Sequence, residues 1–310
     1  MEAAAAARPR ARRFRDLFEE RRFLAPALIA PAVIFIALLV GVPLGLAVYL
    51  SFTDATAGEL FGGQWVGFDN FIEAWQSPNF RKALRNTLIF TFGSQAIVLV
   101  GAAILSHFLI RDFRGKWIIR FLILLPWAAP VALSTIGWLW IFDSLFSVVN
   151  WTLAQLHLVD EVNPPQWLGR PNLALAAVTI VHAWRILPFA VVIFVAGLAS
   201  IPSEVEDAAK IDGATGIKKL WYVTLPLQLP IALVALLFGI VFTAADFAVV
   251  QVLTQGGPFN STQMLTTWAF QIGVNAGSLG LGAAISLYLF PLLAAVSILM
   301  LYFARKAQVT

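Results

Sequence analysis

The chain has 310 residues, of which 60% are hydrophobic and only 12% are charged, with a formal net charge of +4. A soluble domain carries about 25% charged residues, so this composition excludes a water-covered globular protein and a disordered chain. The absence of cysteine also excludes thiolate catalysis, cysteine-based zinc sites and disulfides. The sequence therefore predicts an all-α integral membrane protein.

The first 22 residues form a basic leader with seven arginines. A short helix there would place Phe14, Leu17 and Phe18 on one side, which is typical of a segment lying against anionic membrane lipid. Nothing in the leader favours nucleic-acid binding. The leader and the apolar run behind it are both too long for a cleaved signal peptide, so we expect the first span to be retained.

Six apolar stretches are long enough to cross a bilayer, which takes about 20 helical residues. Transmembrane β-strands would be shorter and would alternate in polarity. We therefore expect a six-span domain over residues 23–303 and a tail at 304–310. The predicted spans are about 23–50, 88–110, 121–142, 172–199, 229–253 and 279–303.

The distribution of Lys and Arg predicts the orientation of these spans. Seven lie in the leader, four in 111–120, three in 200–228 and two in the tail, sixteen in all on one side. The opposite side has four, and Arg185 lies inside a span. We therefore expect both termini in the cytoplasm, with 53–87, 143–171 and 254–278 outside.

The cytoplasmic connection 200–228 has more organisation than a simple linker needs. Ser203 with Glu206 three residues later is typical of a capping box, and it predicts a helix over 204–211. Gly213 follows where a left-handed turn would end that helix. Thr215 can cap a second short helix over 216–223, so the sequence predicts a helix–turn–helix that either rests on this protein or docks with a cytoplasmic partner.

Residues 207–214, followed by 223–226, resemble the EAA motif of ABC-importer permeases. That motif is E-A-A with a glycine four residues on, and then I-x-L-P after nine more. Asp207 replaces the usual Glu and Val223 the usual Ile, both conservatively. In the family this loop is the coupling helix, which sits in a cleft of the ATP-hydrolysing subunit. The resemblance implies ATPase-coupling roles for Glu206, Asp207, Ala208, Ala209, Asp212, Gly213, Ala214, Val223, Leu225 and Pro226.

Two more segments resemble the carbohydrate-importer branch of these permeases. Trp184-Arg185-x-x-Pro188-Phe189 resembles its fourth span, and residues 252–258 with Thr262 resemble the signature after its fifth span in maltose and glycerol-phosphate importers. The resemblance implies a type I ABC-importer permease fold in a bacterial or archaeal cell membrane. The first 120 residues match the family only in hydropathy and in a few positions such as Asn86-Thr87.

The resemblance also implies a set of partners. These are a second homologous permease in a heterodimer, two ATP-binding subunits, an extracytoplasmic substrate-binding protein and a carbohydrate substrate. The chain has no phosphate-binding loop, because Gly115-Lys116 lacks the preceding glycine spacing and the following Ser or Thr. ATP and magnesium are therefore assigned to the ATP-binding subunits, with no cofactor and no metal site expected in this chain.

Arg185 and Asp246 lie inside predicted spans, where charges are costly and tend to face a partner or a wet cavity. Counted along straight helices, Asp246 is about 10 Å from the outer end of its span and Arg185 about 20 Å. This depth difference makes direct pairing awkward, although a long Arg side chain could climb part of it. Two interpretations remain open. Arg185 and Asp246 line a solvated substrate pathway, or they neutralise each other's charge between helices.

Alignment with the family carries its sugar contacts onto eight residues in two spans. Each set of four recurs at i, i+3, i+4 and i+7, the spacing of one helix face. An aromatic ring beside a carboxylate suits a sugar, although Phe242 could equally be packing, and Arg185 leaves a phosphorylated polyol open. The predicted pathway residues are His182, Arg185, Ile186 and Phe189 in span four, and Gly239, Phe242, Thr243 and Asp246 in span five.

Two other classes of function compete with an importer subunit. An ion-gradient-driven secondary transporter or channel could use Asp246, although such proteins usually have repeat-related halves and no internal repeat is evident here. An intramembrane enzyme would have His182 and Asp246 as its candidate residues. We expect a transport subunit that is not itself an enzyme.

Overall fold

The computed structural model describes residues 21–59, 63–160 and 162–309, and of residues 21–24, 304, 305 and 307–309 it describes the backbone alone. Most of the predicted basic leader lies outside the described residues. The chain divides into two units, residues 1–50 and 51–310. In the first unit, α1 (Arg21–Ile36) continues through a π-helical turn (Ala37–Gly41) into α2 (Val42–Ser51), and this run is long and apolar enough to span a membrane.

The second unit is almost entirely helical, and its described residues contain isolated β-bridges rather than strands. A few helices are short elements at the ends of the spans. In chain order the helices are α3 (Asp69–Gln76), α4 (Pro78–Leu109), α5 (Lys116–Ala128), α6 (Val131–Ile141), α7 (Val148–Gln155), α8 (Pro171–Ala199), α9 (Ser203–Ile211), α10 (Gly216–Lys219), α11 (Leu225–Ala244), α12 (Ala248–Leu253), α13 (Leu265–Phe270), α14 (Leu279–Leu287) and α15 (Leu289–Val309).

Five helical segments of the described chain are long and apolar enough to cross a membrane, and there are six if the bent pair α5 and α6 forms one span. This agrees with the predicted six-span, all-α fold. The pair bends by 101° at Ala129, whose backbone is extended (ψ 142°). Pro130 disfavours the helical conformation in the residue before it, so the third predicted span is broken rather than straight.

The helix that contains the predicted second span, 88–110, begins at Pro78. Ser77 caps this helix, its hydroxyl accepting the N–H of Phe80 (3.4 Å), and proline is suited to the first helical position. The added turns contain three charged residues, Arg81, Lys82 and Arg85. A count of consecutive apolar residues therefore does not include these turns.

The fifth span also differs from its prediction. Its helix starts at Gly216 and passes through a π-helical turn (Leu220–Thr224) into α11 without a break. Pro226 directly follows this π-helical turn, as the second residue of α11. The helix then stops at Ala244, and α12 follows after a short interruption at 245–247.

A large part of the core of the second unit lies between α4 and α8, which pack along much of their length. Small side chains line this contact, among them Ala102, Ala183 and Ala190, all 2% exposed or less. Such residues let membrane helices approach closely. Helix α11 of the fifth span packs against both members of this pair.

The predicted external connection 254–278 is folded against α4. The amide of Asn86 donates to the carbonyl oxygens of Ser261 (2.9 Å) and Gln263 (3.1 Å). The hydroxyl of Thr87 accepts the N–H of Leu265 (3.0 Å), at the start of α13. Asn86 and Thr87 thus anchor the segment to α4.

Candidate functional site

Arg185 and Asp246 form an ion pair in the centre of the second unit. The Nη2 of Arg185 lies 2.7 Å from Oδ2 of Asp246, and the two side chains are 17% and 4% exposed. The two side chains therefore pair directly, although the depth count along straight helices made this pairing awkward. That count assumed one straight fifth helix, whereas Asp246 lies in the break between α11 and α12.

Both oxygens of the Asp246 carboxylate have hydrogen-bond partners within the protein. Besides the bond from Arg185, its Oδ1 accepts the backbone N–H of Val249 (3.1 Å), which caps the first turn of α12. Nδ1 of His182 lies 3.5 Å from Oδ2. Asp246 is thus positioned as the anchor of the interruption between the two helices.

A buried polar network lies behind the ion pair. The hydroxyl of Thr243 donates to the carbonyl of Gly239 (2.7 Å) and contacts Nε2 of His182 (3.0 Å). It also accepts the amide N–H of Gln95 on α4 (2.7 Å). His182 and Thr243 are fully buried. A Cβ on Gly239 would overlap the Gln95 amide, so Gly239 makes room for this network.

An open cavity of about 410 Å³ lies on the other side of the ion pair. Arg185 and Asp246 provide its charged groups, and the remaining lining side chains are apolar. They are Trp127, Val131, Ile186, Phe242, Ala245, Phe247 and Ala248.

Aromatic rings continue from this cavity along the bundle. The ring of Trp127, at the end of α5, stacks on Phe189 (centroids 5.3 Å apart, 22°) and lies 6.1 Å from Phe242. Phe189 and Phe242 meet edge to face at 5.5 Å. Trp127 was missed by sequence reasoning, because only the bend after α5 reveals that it faces the fifth span.

The structure thus divides the eight predicted pathway residues. Arg185, Ile186, Phe242 and Asp246 line the cavity, and Phe189 belongs to the adjoining aromatic cluster. His182, Gly239 and Thr243 lie in the buried network instead. The expectation that the span-five set shares one helix face is wrong, because α11 ends at Ala244 before Asp246 is reached. Gln95, which closes the network, was not among the predicted residues.

The coupling-loop residues form the predicted helix–turn–helix. Gly213 has a positive φ of 71° and follows the end of α9, which is closed by a bond from the N–H of Ala214 to the carbonyl of Ala209 (2.8 Å). Thr215 precedes α10, although its side chain makes no capping bond. Val223 lies in the π-helical turn, and Leu225 and Pro226 open α11, so the second short helix merges with the fifth span.

The predicted capping box does not form. Helix α9 starts at Ser203 itself, after Pro202, so Ser203 is inside the first turn. Glu206 reaches across the hairpin to Lys219 instead (3.1 Å). Asp207 pairs with Lys210 (2.8 Å), and this hydrogen bond lowers the pKa of the exposed Asp207 carboxyl.

The two alanines of the motif face opposite ways. Ala209 is 5% exposed, so its side chain is covered within this chain. Ala208 is exposed and is the small residue available to a partner. Asp212 and Gly213 are also exposed, as are the apolar side chains of Ile211 (86%) and Ile217 (75%).

The described residues contain no group of three or more His, Asp or Glu side chains that could hold a metal ion. Arg185 has five N–H donors, of which Nη2 bonds Asp246 while Nε is buried without a partner in the described residues.

The sequence of this chain matches a known protein family. Residues 97–309 match the binding-protein-dependent transport system inner membrane component family. The chain is 31% identical over 287 residues to the sulfoquinovosyl glycerol transport system permease protein SmoG of Agrobacterium fabrum, covering 92% of this chain and 90% of SmoG. It is 31% identical over 241 residues to the trehalose/maltose transport system permease protein MalF of Thermococcus litoralis, covering 78% and 80%.

The fold is also found in solved structures. A bacterial ABC transporter involved in the import of the acidic polysaccharide alginate matches with a TM-score of 0.78 at 18% identity, over 94% of this chain and 98% of the other. This likeness supports the fold alone. The match of the family over most of the chain, and the relatives covered nearly end to end, establish membership. The chain belongs to the family of binding-protein-dependent transport system inner membrane components.

Proposed function

We propose that this chain forms one half of the translocation pathway of an ATP-driven importer for a sugar, an oligosaccharide or a related polyol. The observation that carries the proposal is the cavity of about 410 Å³ beside the Arg185–Asp246 pair. Aromatic rings and charged donors together suit a ligand with apolar ring faces and polar hydroxyls. Relatives named for trehalose, maltose and sulfoquinovosyl glycerol transport support this class of substrate.

We assign Arg185, rather than Asp246, to direct substrate contact. Both oxygens of Asp246 already accept hydrogen bonds, while Arg185 retains donors and lines the cavity. A hydroxyl oxygen or an anionic group of the substrate could accept from Arg185. The engagement of Asp246 also argues against its use as the ion-binding group of a secondary transporter.

The proposal includes partners that complete the importer. The exposed isoleucines of the hairpin, on a segment rich in charge, suit docking to another protein, and we assign this role to two ATP-binding subunits that hold ATP and magnesium. A second homologous permease would supply the other half of the pathway. A substrate-binding protein would deliver the sugar; a bacterial alginate ABC transporter has been solved in complex with a periplasmic protein bound to an alginate pentasaccharide. Catalysis then belongs to the ATP-binding subunits and this chain is not an enzyme.

The test is purification of the chain with its associated proteins, followed by reconstitution in proteoliposomes. We expect an ATP-binding subunit to co-purify and ATP-dependent uptake of at least one labelled compound among maltose, trehalose, diacetylchitobiose and glycerol 3-phosphate. Vesicles loaded without ATP but with an imposed proton or sodium gradient are the control. Uptake driven by the gradient alone would refute the proposal.

The orientation of the spans gives a second prediction. Because the chain lacks cysteine, single cysteines can report exposure to an impermeant maleimide in intact cells. Leu158→Cys, 68% exposed in the 143–171 connection, should be labelled from outside. Asp112→Cys, on the predicted cytoplasmic connection 111–120, should be labelled only after the membrane is permeabilised. The reverse pattern would invert the topology derived from the charge bias.

A further inference from the structure

A second cavity, distinct from the one beside Arg185, lies between α12 and the segment that contains α13. Its volume is about 130 Å³, room for about four water molecules at about 30 Å³ each. It lies at the end of the bundle that carries the 254–278 connection, which the charge bias predicts to be external. The lining is dominated by four glutamines, Gln251, Gln255, Gln263 and Gln271, with Asn275.

The amides of this cavity are held in place but are not all satisfied. Gln263 is 1% exposed, and its Nε2 donates to Oε1 of Gln271 (2.9 Å). Its Oε1 is buried and accepts no hydrogen bond from the described part of the chain. That atom lies against Gly256, so Gln263 is held in a fixed position, and the hydrogen-bonding groups open to a ligand are those of the other lining amides.

The glycine signature after the fifth span is part of this arrangement. Gly256 has a φ of 86°, and a Cβ there would overlap the amide of Gln263. Only glycine fits both the conformation and the space. The motif therefore does more than turn the backbone, because Gly256 leaves the space that the side chain of Gln263 occupies.

The chemistry of the lining matches an uncharged hydroxyl-bearing ligand. Each amide both donates and accepts hydrogen bonds, as sugar hydroxyls do. Phe270 adds an aromatic surface suited to the C–H face of a sugar ring. The lining contains no charged residue, in contrast to the ion pair of the inner cavity.

The two cavities adjoin through one pair of rings. Phe247 lines the inner cavity, and its ring lies 5.0 Å from that of Phe270, which lines the outer one. Gln251 is one turn beyond Phe247, its N–H bonded to the Phe247 carbonyl (2.9 Å). The hydroxyl of Thr266 also donates to the carbonyl of Asp246 (2.7 Å). The segment forming the outer cavity is thus tied to the charged site.

We propose that the amide-lined cavity is an outer subsite that binds the hydroxyls of one uncharged sugar unit before the substrate passes Phe247 and Phe270 to the inner cavity. This inference rests on the proposed sugar-import function. The small volume limits the subsite to one face of a single sugar unit. The ion pair and Trp127 would then receive the substrate from it.

Single cysteines in the cysteine-free chain test the subsite within the reconstituted importer. Asn275→Cys reports the outer cavity, Phe242→Cys the inner one, and Leu158→Cys is the exposed control. The probes are maltose, trehalose and diacetylchitobiose, each added before an impermeant maleimide. At a sugar concentration about ten times the dissociation constant, labelling of Asn275→Cys should slow about tenfold, while labelling of Leu158→Cys should not change.

A second variant separates hydrogen bonding from steric cover. Adding Gln271→Ala to Asn275→Cys should raise the sugar concentration needed for protection by about threefold to tenfold. Gln155→Ala, which removes an exposed glutamine elsewhere, should leave it unchanged. Protection of Phe242→Cys without protection of Asn275→Cys, or equal protection with and without Gln271, would overturn the subsite. Loss of ATP-driven uptake for every sugar, with Asn275→Cys still protected, would overturn the import function but not the subsite.

Discussion

Asp246→Asn should lower the free energy of unfolding by about 3 kcal/mol, because it leaves the Arg185 guanidinium buried without its counter-ion. The carboxylate is 4% exposed and the Arg185 side chain 17%, so water in the adjoining cavity can replace only part of the lost interaction. The Val249 N–H would still find an amide oxygen, which keeps the start of α12 in place. We expect less folded protein after detergent extraction and a lower melting temperature, followed by tryptophan fluorescence.

The double variant Asp246→Asn with Arg185→Gln identifies the cause. With the unpaired charge gone, it should recover roughly 1–3 kcal/mol relative to the sum of the single changes, a coupling typical of residues in contact. Asp112→Asn is the matched control, since Asp112 pairs with Lys116 at 3.1 Å while its own side chain is fully exposed. Such a surface pair contributes about 0–1 kcal/mol. Additive losses in the double variant would show that the pair is not a stabilising unit.

Transport separates the two members of the pair. If Arg185 donates to the substrate, the double variant should regain stability and still transport poorly. Recovery of both stability and transport would mean that the pair only holds α8 against the break between α11 and α12. This experiment therefore decides between the pathway and the neutralisation readings that the sequence leaves open.

The helical architecture could be predicted because a bilayer imposes one simple requirement, about 20 apolar residues per span. The same count missed the start of α4, since Arg81, Lys82 and Arg85 extend a helix that already has its cap at Ser77. It also missed the bend at Ala129, which depends on one proline within an otherwise suitable apolar run. The apolar composition of a segment indicates that it lies in lipid, but it does not show where the helix bends.

The candidate site was predictable in its residues more than in its geometry. Charges inside spans drew attention to Arg185 and Asp246, but their distance depended on the interruption after Ala244. Trp127 and Gln95 come from other helices, at positions that one sequence gives no reason to prefer. Their contributions follow from tertiary packing, so only the folded chain reveals them.

Gly213→Val should reduce sugar-stimulated ATPase activity and transport by about fivefold to thirtyfold. The left-handed conformation costs roughly 1–2 kcal/mol for a residue with a Cβ, and each 1.4 kcal/mol is about tenfold in a population. Nothing lies within 4 Å of a Cβ at this position, so the effect is backbone strain rather than a clash. The bond from the Gly213 N–H to the carbonyl of Lys210 (3.1 Å) would be the first to weaken.

Gly213→Asn is the matched control, because asparagine adopts the left-handed conformation far more readily than valine. It should keep most of the coupling while adding a side chain of similar size. Membrane insertion and monodispersity should be the same in both variants, since Gly213 is exposed and outside the spans. The discriminating measurement is ATP hydrolysis by the reconstituted importer with and without sugar. If sugar stimulates ATP hydrolysis equally in the Val and Asn variants, the left-handed turn at Gly213 does not set the coupling geometry. Any coupling would then depend on the exposed face of α9 alone.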